Sequence, residues 1–503
     1  MTIRTRSINL SQEPTSATAP HSEEVSRAAE EAEIPLCVEL NGTLIRSDTL
    51  YEGLARLLQR RLWNFFAALF WLALGRKKLR SEIAKRADLD ASLLPENDAF
   101  LDWLRQQRQS GRRLILCTSA EERVAQAVSE RYGLFDQVIA SNDDGDIHSR
   151  SKAARLLSQF GERRYDYAGS DPQDLCVWEK ARQAVVVEPG WAMQRELERL
   201  PRVERIFTSR INGPRELLRA LRLHQWSKNV LIFLPAAGAH QLLNWSVALA
   251  SIVAFLLFGV CASGTYLLND LMDLDADRRH PIKRGRPFAS GRLSLGLGLF
   301  MAPALVMAGL LSAALLLGWL FFATLAIYVV ATVWYSRSLK RIPMVDVLAL
   351  AGLYAIRVIA GSAATLIVPS FWLLAFTMFL FLSLAIAKRY SELKLMMATG
   401  RTRASGRGYT IEDSPLLLIC GVAAGYNSVL VMALYVNSGV ATSTYAHTVF
   451  LWFLCPLLLY WITRIWLKTS RGQMDNDPVV FTLQDRPSLA VACVGLLLLW
   501  AAT

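Results

Sequence analysis

Tyr266-Leu267-Leu268-Asn269-Asp270-Leu271-Met272-Asp273-Leu274-Asp275-Ala276-Asp277 sets a dense group of acids at the end of a long apolar stretch, and the rest of the chain is read outward from it. If the apolar residues 246–268 continue as a helix, positions 269/270, 273 and 277 follow i, i+3/i+4, i+7 spacing. Asn269, Asp273 and Asp277 then share one face, with Asp270 close by. Carboxylates crowded at a membrane surface repel one another unless a cation gathers them. Hard oxygen donors that leave places for water and phosphate suit Mg²⁺, so Asn269, Asp270, Asp273 and Asp277 are the expected metal ligands. A solvated acidic helix end is the plain alternative. Against it stand Arg278, Arg279, His280, Lys283, Arg284 and Arg286 immediately downstream, cations suited to the oxygens of a departing diphosphate.

The flanking composition divides the chain. Of its 503 residues 53% are apolar, too many for a purely soluble protein of this length. Residues 1–220 are rich in Arg, Glu and Asp, whereas the stretch beyond Leu231 alternates apolar runs with short basic ones. Nine apolar segments are expected, at about 226–243, 246–268, 294–317, 318–335, 345–364, 370–387, 415–437, 447–464 and 487–503. Loops 269–293, 336–344, 388–414 and 465–486 carry the cations, among them Arg337, Arg341, Arg401, Arg403, Arg407, Lys468 and Arg471. By the positive-inside rule these loops, the N-terminal region and the acidic cluster are cytoplasmic, in a bacterial inner membrane, and the C-terminus faces the other side. The net charge of +12 is thereby a topology signal, and no stacking-and-basic groove suggests nucleic acid. The seven cysteines lie in apolar contexts without CxxC spacing and read as core. Met1 to Glu33 is polar, lacks an apolar signal-peptide core and is expected to be a disordered tail.

Between about 34 and 205 short apolar strands alternate with helical stretches: Leu36-Cys37-Val38-Glu39-Leu40, Leu114-Ile115-Leu116-Cys117, Gln137-Val138-Ile139-Ala140, Tyr165-Asp166-Tyr167-Ala168 and Ala184-Val185-Val186-Val187. This pattern predicts an α/β domain with a buried parallel sheet. An insertion at about 50–108 has helical periodicity and holds the apolar run 62–74, which is shorter than the ~20 residues needed to cross a bilayer. Flanked by Arg60, Arg61, Arg76, Lys77 and Lys78, that run is expected either at the membrane interface, docked on the membrane domain, or buried in a cap. A linker at 206–225 leads to an all-α membrane bundle over 226–503.

The Asn269–Asp277 motif, the run ending Arg286-Pro287-Phe288-Ala289-Ser290-Gly291, and Tyr335-Ser336-Arg337-Ser338-Leu339-Lys340-Arg341 resemble the UbiA superfamily of intramembrane prenyltransferases over about 215–503. That resemblance implies nine transmembrane helices around a central cavity where Mg²⁺ holds a diphosphate, open laterally so that a lipid chain stays in the bilayer. Members with aromatic acceptors carry a second DxxxD-type motif after the sixth span; here that place reads Lys388-Arg389-Tyr390-Ser391-Glu392-Leu393. A second carboxylate cluster would hold a second Mg²⁺ on a prenyl diphosphate, whereas Lys388 and Arg389 suit direct capture of an anion such as a lipid monophosphate. Gln225-Trp226-Ser227-Lys228-Asn229, Pro343 with Asp346, Arg357 and Gly361, and Asp477-Pro478-Val479-Val480-Phe481 resemble the branch of decaprenyl-phosphate phosphoribosyltransferases. The resemblance implies Asp270, Asp273, Asp277, Lys340 and Asp346 as catalytic. It implies Lys228, Lys283, Arg286, Tyr335, Arg357, Lys388, Arg389, Tyr390 and Glu392 as binding a polyprenyl phosphate or prenyl diphosphate lipid and a diphosphate co-substrate. Arg357 alternatively pairs with Asp346 inside the bundle. The expected reaction is phosphoribosyl transfer; aromatic prenyl transfer and a non-enzymatic transporter or scaffold are the competing readings.

Cys37-Val38-Glu39-Leu40-Asn41-Gly42-Thr43-Leu44 resembles the DxDGT loop of the haloacid dehalogenase (HAD) family, and Thr118, Lys152, Ser170 and Asp174 fall where its later motifs stand. The family's nucleophilic and acid/base aspartates are here Glu39 and Asn41. The added methylene misplaces an in-line nucleophile, and an amide shuttles no proton. The resemblance therefore implies a HAD-like fold that is catalytically silent.

Overall fold

A computed structural model describes residues 34–61, 63–142, 147, 149–200, 202–208, 213–398, 408–474 and 478–503. The expected tail 1–33, Leu62 of the apolar run, Arg401, Arg403 and Arg407 of one basic loop, and Asp477 lie outside the described residues. The chain divides into two compact units between residues 210 and 211.

The first unit is built on a six-stranded parallel sheet in the order β3-β2-β1-β4-β5-β6. Its strands are β1 (Leu36–Val38), β2 (Leu114–Glu121), β3 (Gln137–Ser141), β4 (Asp166–Gly169), β5 (Ala184–Val187) and β6 (Val203–Phe207). Register follows the apolar runs: Leu36 faces Leu114 on one side and Asp166 on the other. Because side chains alternate across a strand, Leu36 and Val38 enter one apolar layer and Cys37 the other. The sixth strand was not foreseen; Val203-Glu204-Arg205-Ile206-Phe207 is mostly exposed, and charges on an edge strand hide it from an apolar-run search. The chain turns from β1–β2–β3 to β4–β5–β6 at β1, so the loop after β1 sits at the topological switch point where such sheets form sites.

Helices Thr49–Arg60, Asn64–Ala73 and Arg76–Ala87 fill the insertion after β1 around Leu57, Ala68, Leu79, Ile83 and Ala87. Gly53 admits Ile83, whose Cγ2 would lie 2.3 Å from any Cβ there. Ala68 packs inward, but Trp63, Phe66, Leu69, Phe70, Leu72 and Leu74 are exposed. The apolar run is therefore a mostly uncovered helix and not a buried cap element.

In the second unit seven helical spans are long and apolar enough to cross a membrane among the described residues: Trp245–Met272, Leu295–Leu316, Trp319–Arg337, Val345–Thr365, Phe371–Met397, Ile411–Val436 and Val449–Ser470. The first and last of the nine expected segments are shorter. The last is the helix Arg486–Ala502. The first is broken: helix Gly213–Leu221 ends at Arg222, whose φ of 51° is left-handed, and a 3-10 helix Leu223–Phe233 and a short helix Leu234–Gly238 follow. This broken segment packs tightly because two glycines face it. A Cβ at Gly361 would lie 2.0 Å from the Ile232 carbonyl oxygen, and one at Gly259 2.6 Å from the Trp226 ring. Trp226 Nε1 also donates to Ser263 Oγ at 3.0 Å, which fixes the segment against the helix that carries the acids.

Candidate active site

Helix Trp245–Met272 ends just before Asp273 and helix Leu274–Arg279 follows. The hydrogen-bond ladder crosses the junction, since Asp273 N donates to the Asn269 carbonyl (2.9 Å) and Asp277 N to the Asp273 carbonyl (2.8 Å). Helical spacing is thus kept through the break. Asn269, Asp273 and Asp277 line a wide cavity that is open in part to solvent. Asp270 is buried outside that lining. Its Oδ1 accepts from Arg222 Nη2 at 2.5 Å and Arg286 Nη1 at 3.0 Å, and the same Arg286 nitrogen donates to Asp277 Oδ2 at 2.6 Å. Lys340 Nζ spans both oxygens of Asp273, at 2.7 and 2.9 Å. Burial pushes the Asp277 carboxyl above the usual carboxylate range, against the pull of Arg286.

Among the described residues no three His, Cys, Asp or Glu side chains converge closely enough to hold a metal ion as they stand. The donor set nevertheless fits a hard cation. Oxygen donors line one wall of a wide polar cavity, and each acid there already holds a cationic group, Lys340 or Arg286, in the role a divalent ion would take.

The cavity is otherwise rich in cations: Arg222, Lys228, Lys283, Arg286, Lys340, Arg341, Arg357, Lys388 and Arg389 all line it, with Tyr335. These do not stand alike. Arg389 is committed, with Nε donating to Asp346 Oδ2 at 2.5 Å, Nη1 to both Glu392 oxygens at 3.0 and 2.9 Å, and Nη2 to the Tyr335 hydroxyl at 2.7 Å. The other Asp346 oxygen accepts from Tyr409 OH at 2.5 Å. Asp346, expected among the catalytic residues, is fully buried and outside the cavity lining, bonded to Arg389 and Tyr409. Glu392 likewise serves Arg389, and Tyr390 packs in the apolar core against Trp466, with ring centroids 6.0 Å apart, away from the cavity. The reason is helical phase: on helix Phe371–Ala398 Lys388 and Arg389 reach the cavity and Tyr390 turns away.

Arg357 takes the opposite course from the pairing with Asp346 that the sequence allowed. Its hydrogen bonds go to Asn229 Oδ1 (3.1 Å), the Leu353 carbonyl (2.5 Å) and Tyr328 OH (3.4 Å). Phe258, Tyr328 and Tyr354 present their rings within 6 Å of its guanidinium. It is a buried cation at the cavity wall with only neutral partners among the described residues. Lys228 stands over the ring of Tyr354, 5.5 Å from its centroid.

Sequence reading missed Arg222 and Tyr354 as lining residues, while His280, named among the cations after the motif, lines the cavity as well. Arg222 falls in the stretch 206–225 that the sequence marks only as a linker. Its left-handed backbone, the one local clue to its role, is invisible in sequence.

In the first unit, Glu39, Thr118, Lys152 and Asp174 converge below the switch point. Thr118 Oγ1 donates to Glu39 Oε1 at 2.6 Å and Lys152 bonds Glu39 Oε2. Asn41 turns aside, its Oδ1 accepting from Thr49 N at 3.0 Å and so tying down the first insertion helix. Ser170 Oγ would lie 2.7 Å from a Cβ on Gly42, whose φ is +73°, so this turn requires glycine.

The UbiA prenyltransferase family model matches residues 230–485 and the haloacid dehalogenase-like hydrolase model residues 38–172. An uncharacterized protein of Sinorhizobium fredii is 34% identical over 464 residues, covering 90% of this chain and 88% of its own length. Nodulation protein NoeC of Azorhizobium caulinodans is 37% identical over 283 residues, 56% of this chain and 90% of that one. A decaprenyl-phosphate phosphoribosyltransferase of Corynebacterium glutamicum is 36% identical over 205 residues, 39% of this chain and 60% of that one. With apolar spans, a polar cavity walled by the Asn269–Asp277 acids and these matches together, the chain belongs to the UbiA prenyltransferase family, as a multi-pass membrane transferase fused to a HAD-like domain.

Proposed function

We propose that the membrane unit transfers a 5-phosphoribosyl group from phosphoribosyl diphosphate to a polyprenyl phosphate and releases diphosphate, with its cavity open to the cytoplasm. The observation that carries this reading is Arg357, a buried guanidinium with neutral partners on a cavity whose acids lie on another helix. A cation held without a counter-charge in a low-dielectric wall is costly until an anion joins it. Two anions are thus called for, a diphosphate beside Asn269, Asp273 and Asp277 and a second one near Arg357, Lys228 and Lys388. The partial likeness to the C. glutamicum phosphoribosyltransferase supports the same choice.

In the reaction the bond from ribose C1 to the diphosphate oxygen breaks as a lipid phosphate oxygen forms its own bond to C1. The nucleophile is already anionic, so no general base is needed and the protein's task is placement. Asn269, Asp273 and Asp277 would hold Mg²⁺, which would supply charge neutralisation for the leaving diphosphate. Arg286 and Lys340, displaced from the acids, are placed to donate to its oxygens. Arg357, Lys228 and Lys388 orient the lipid phosphate. Asp346, Glu392 and Tyr335 hold Arg389 and with it the shape of this wall.

Purified protein incubated with Mg²⁺, phosphoribosyl diphosphate and polyprenyl phosphate is expected to release diphosphate, and chelation by EDTA to stop it. Diphosphate release from prenyl diphosphate plus an aromatic acid, and not from the first mixture, would replace this reading with aromatic prenylation.

A further inference from the structure

The first unit keeps nearly all of its large apolar side chains inside, and the exceptions cluster. Of nine that are exposed among its described residues, six lie between Trp63 and Leu74. Helix Asn64–Ala73, which holds most of them, has two faces. Asn64, Ala68 and Trp71, at i, i+4 and i+7, look inward. Asn64 Nδ2 donates to the Leu57 carbonyl at 2.7 Å, Ala68 joins the apolar centre of the insertion, and Trp71 packs against it with the Arg86 guanidinium 4.6 Å from its ring centroid. About half a turn round the helix, Phe66, Leu69 and Phe70 face outward, and Phe66 and Phe70 keep 62% and 63% of their surface exposed. The helix is thus anchored on one face and uncovered on the other.

A contiguous exposed apolar patch marks an interaction site, and the charges around this one say with what. Residues 62–75 carry no charge, while the stretch 60–87 around them has eight Lys and Arg and one acid. That acid, Glu82, already pairs with Lys78 at 2.8 Å and with Arg86, and Asp88 just beyond pairs with Arg60 at 3.2 Å, so the excess of cations stays large. Cations stand at both ends of the apolar helix, Arg60 and Arg61 before it and Lys77 and Lys78 after it, all exposed. A second copy docking by the same face would bring cation onto cation at each end, which opposes association. Ten helical residues span about 15 Å, roughly half the hydrocarbon thickness of a bilayer, so the helix cannot cross one. An apolar face framed by cations fits an anionic lipid surface, where rings sink toward the acyl chains while Lys and Arg meet the phosphates. A bilayer is at hand, because the same chain continues into the apolar spans.

We propose that helix Asn64–Ala73 is a further membrane contact of the chain, lying along the surface of anionic lipid with Phe66, Leu69 and Phe70 among the acyl chains and Arg61, Lys77 and Lys78 on lipid phosphates. One short apolar face binds lipid only weakly and reversibly. The covalent link to the spans makes that sufficient, since it turns binding into an intramolecular step at high effective concentration.

The test places the photo-reactive residue p-benzoylphenylalanine at Phe66 or at Phe70 in the full chain, in liposomes of phosphatidylcholine with or without phosphatidylglycerol. Both side chains are exposed, so the larger ring is compatible with the fold. Irradiation is expected to give a phospholipid adduct, read by mass as a chain carrying one lipid, and phosphatidylglycerol to raise its yield several-fold. Each cation at an anionic surface contributes about fivefold in binding, so adding Arg61→Gln and Lys77→Gln should remove most of that rise. The same probe at Leu157, exposed on another helix of the unit, should give little adduct. A cross-link to the chain's own spans, or a covalent dimer, in place of the lipid adduct would overturn the proposal, the dimer marking a second copy as the occupant. So would an adduct whose yield ignores phosphatidylglycerol, one equally abundant at Leu157, or no adduct at all in a protein with the wild-type circular dichroism spectrum.

Discussion

Two regions of this chain set carboxylates against cations, and they do so to different ends. In the HAD-like unit, Glu39 and Lys152 keep only 7% and 3% of their side-chain surface exposed, and every donor around the carboxylate is spent within the protein. In the membrane unit Asp273 and Lys340 keep 29% and 17% and face a wide cavity. A sealed pair exchanges partners only by losing both partners' compensation at once. A pair at a wet wall can hand its carboxylate to a metal and its ammonium to a phosphate with water making up the difference. The same residue chemistry is thus a closed bond in one place and, in the other, a partly exposed pair on a cavity wall, which is what the proposed reaction needs.

The sharpest way to break that division is to neutralise one acid on each side. Asp273→Asn should lower diphosphate release by more than about 100-fold, the order expected when a leaving group loses its charge stabilisation. Glu39→Gln, assayed in the same way, should change it less than about twofold. A reversal of the two outcomes would place the chemistry in the wrong unit.

Much of this contrast was legible in the sequence, and what was not has physical causes. The acidic motif was readable because 269, 273 and 277 keep helical spacing even though the helix breaks at Asp273. The sheet was readable from its five apolar strands, whereas the charged edge strand Val203–Phe207 was not. At the site, charge type was visible but pairing was not. Asp346 and Arg357 share helix Val345–Thr365, where eleven residues put them roughly 16 Å apart, too far to pair. That Asp346 meets Arg389 instead depends on how this helix sits against Phe371–Ala398, which no local pattern encodes. Tyr390 shares a motif with Lys388 and Arg389 yet points into the core, since one residue along a helix is a turn of about 100°.

Arg389 offers the next largest effect. Arg389→Met leaves Asp346 buried without its guanidinium, which should cost about 3 kcal/mol of stability and appear as a lowered thermal midpoint in detergent. Arg357→Ala should act otherwise. It removes a cation that has no carboxylate to strand, so the midpoint should hold while KM for polyprenyl phosphate rises about tenfold, or about 1.4 kcal/mol. A midpoint loss in Arg357→Ala as large as in Arg389→Met would show that both arginines are structural and would erase the distinction drawn between them.

The smallest effect belongs to Tyr409, and it tests how the supporting wall is built. Its hydroxyl donates to Asp346 and accepts from Met344 N at 2.8 Å, and Met344 has a left-handed φ of 63°, a conformation that costs a non-glycine residue about 1 kcal/mol or more. Burial and the neighbouring Asp346 push the phenol above the ordinary tyrosine range, so it stays protonated and can keep donating at any pH where the protein is active. Tyr409→Phe deletes both bonds and should cost about 1 to 2 kcal/mol, less than Arg389→Met because Asp346 retains its charged partner. Met344→Gly in the Tyr409→Phe background should recover part of that loss by relieving the strained turn. If Tyr409→Phe instead abolished transfer at an unchanged thermal midpoint, Asp346 and its phenol partner would belong to the chemistry, and the boundary between the cavity and its support would have to move one residue layer outward.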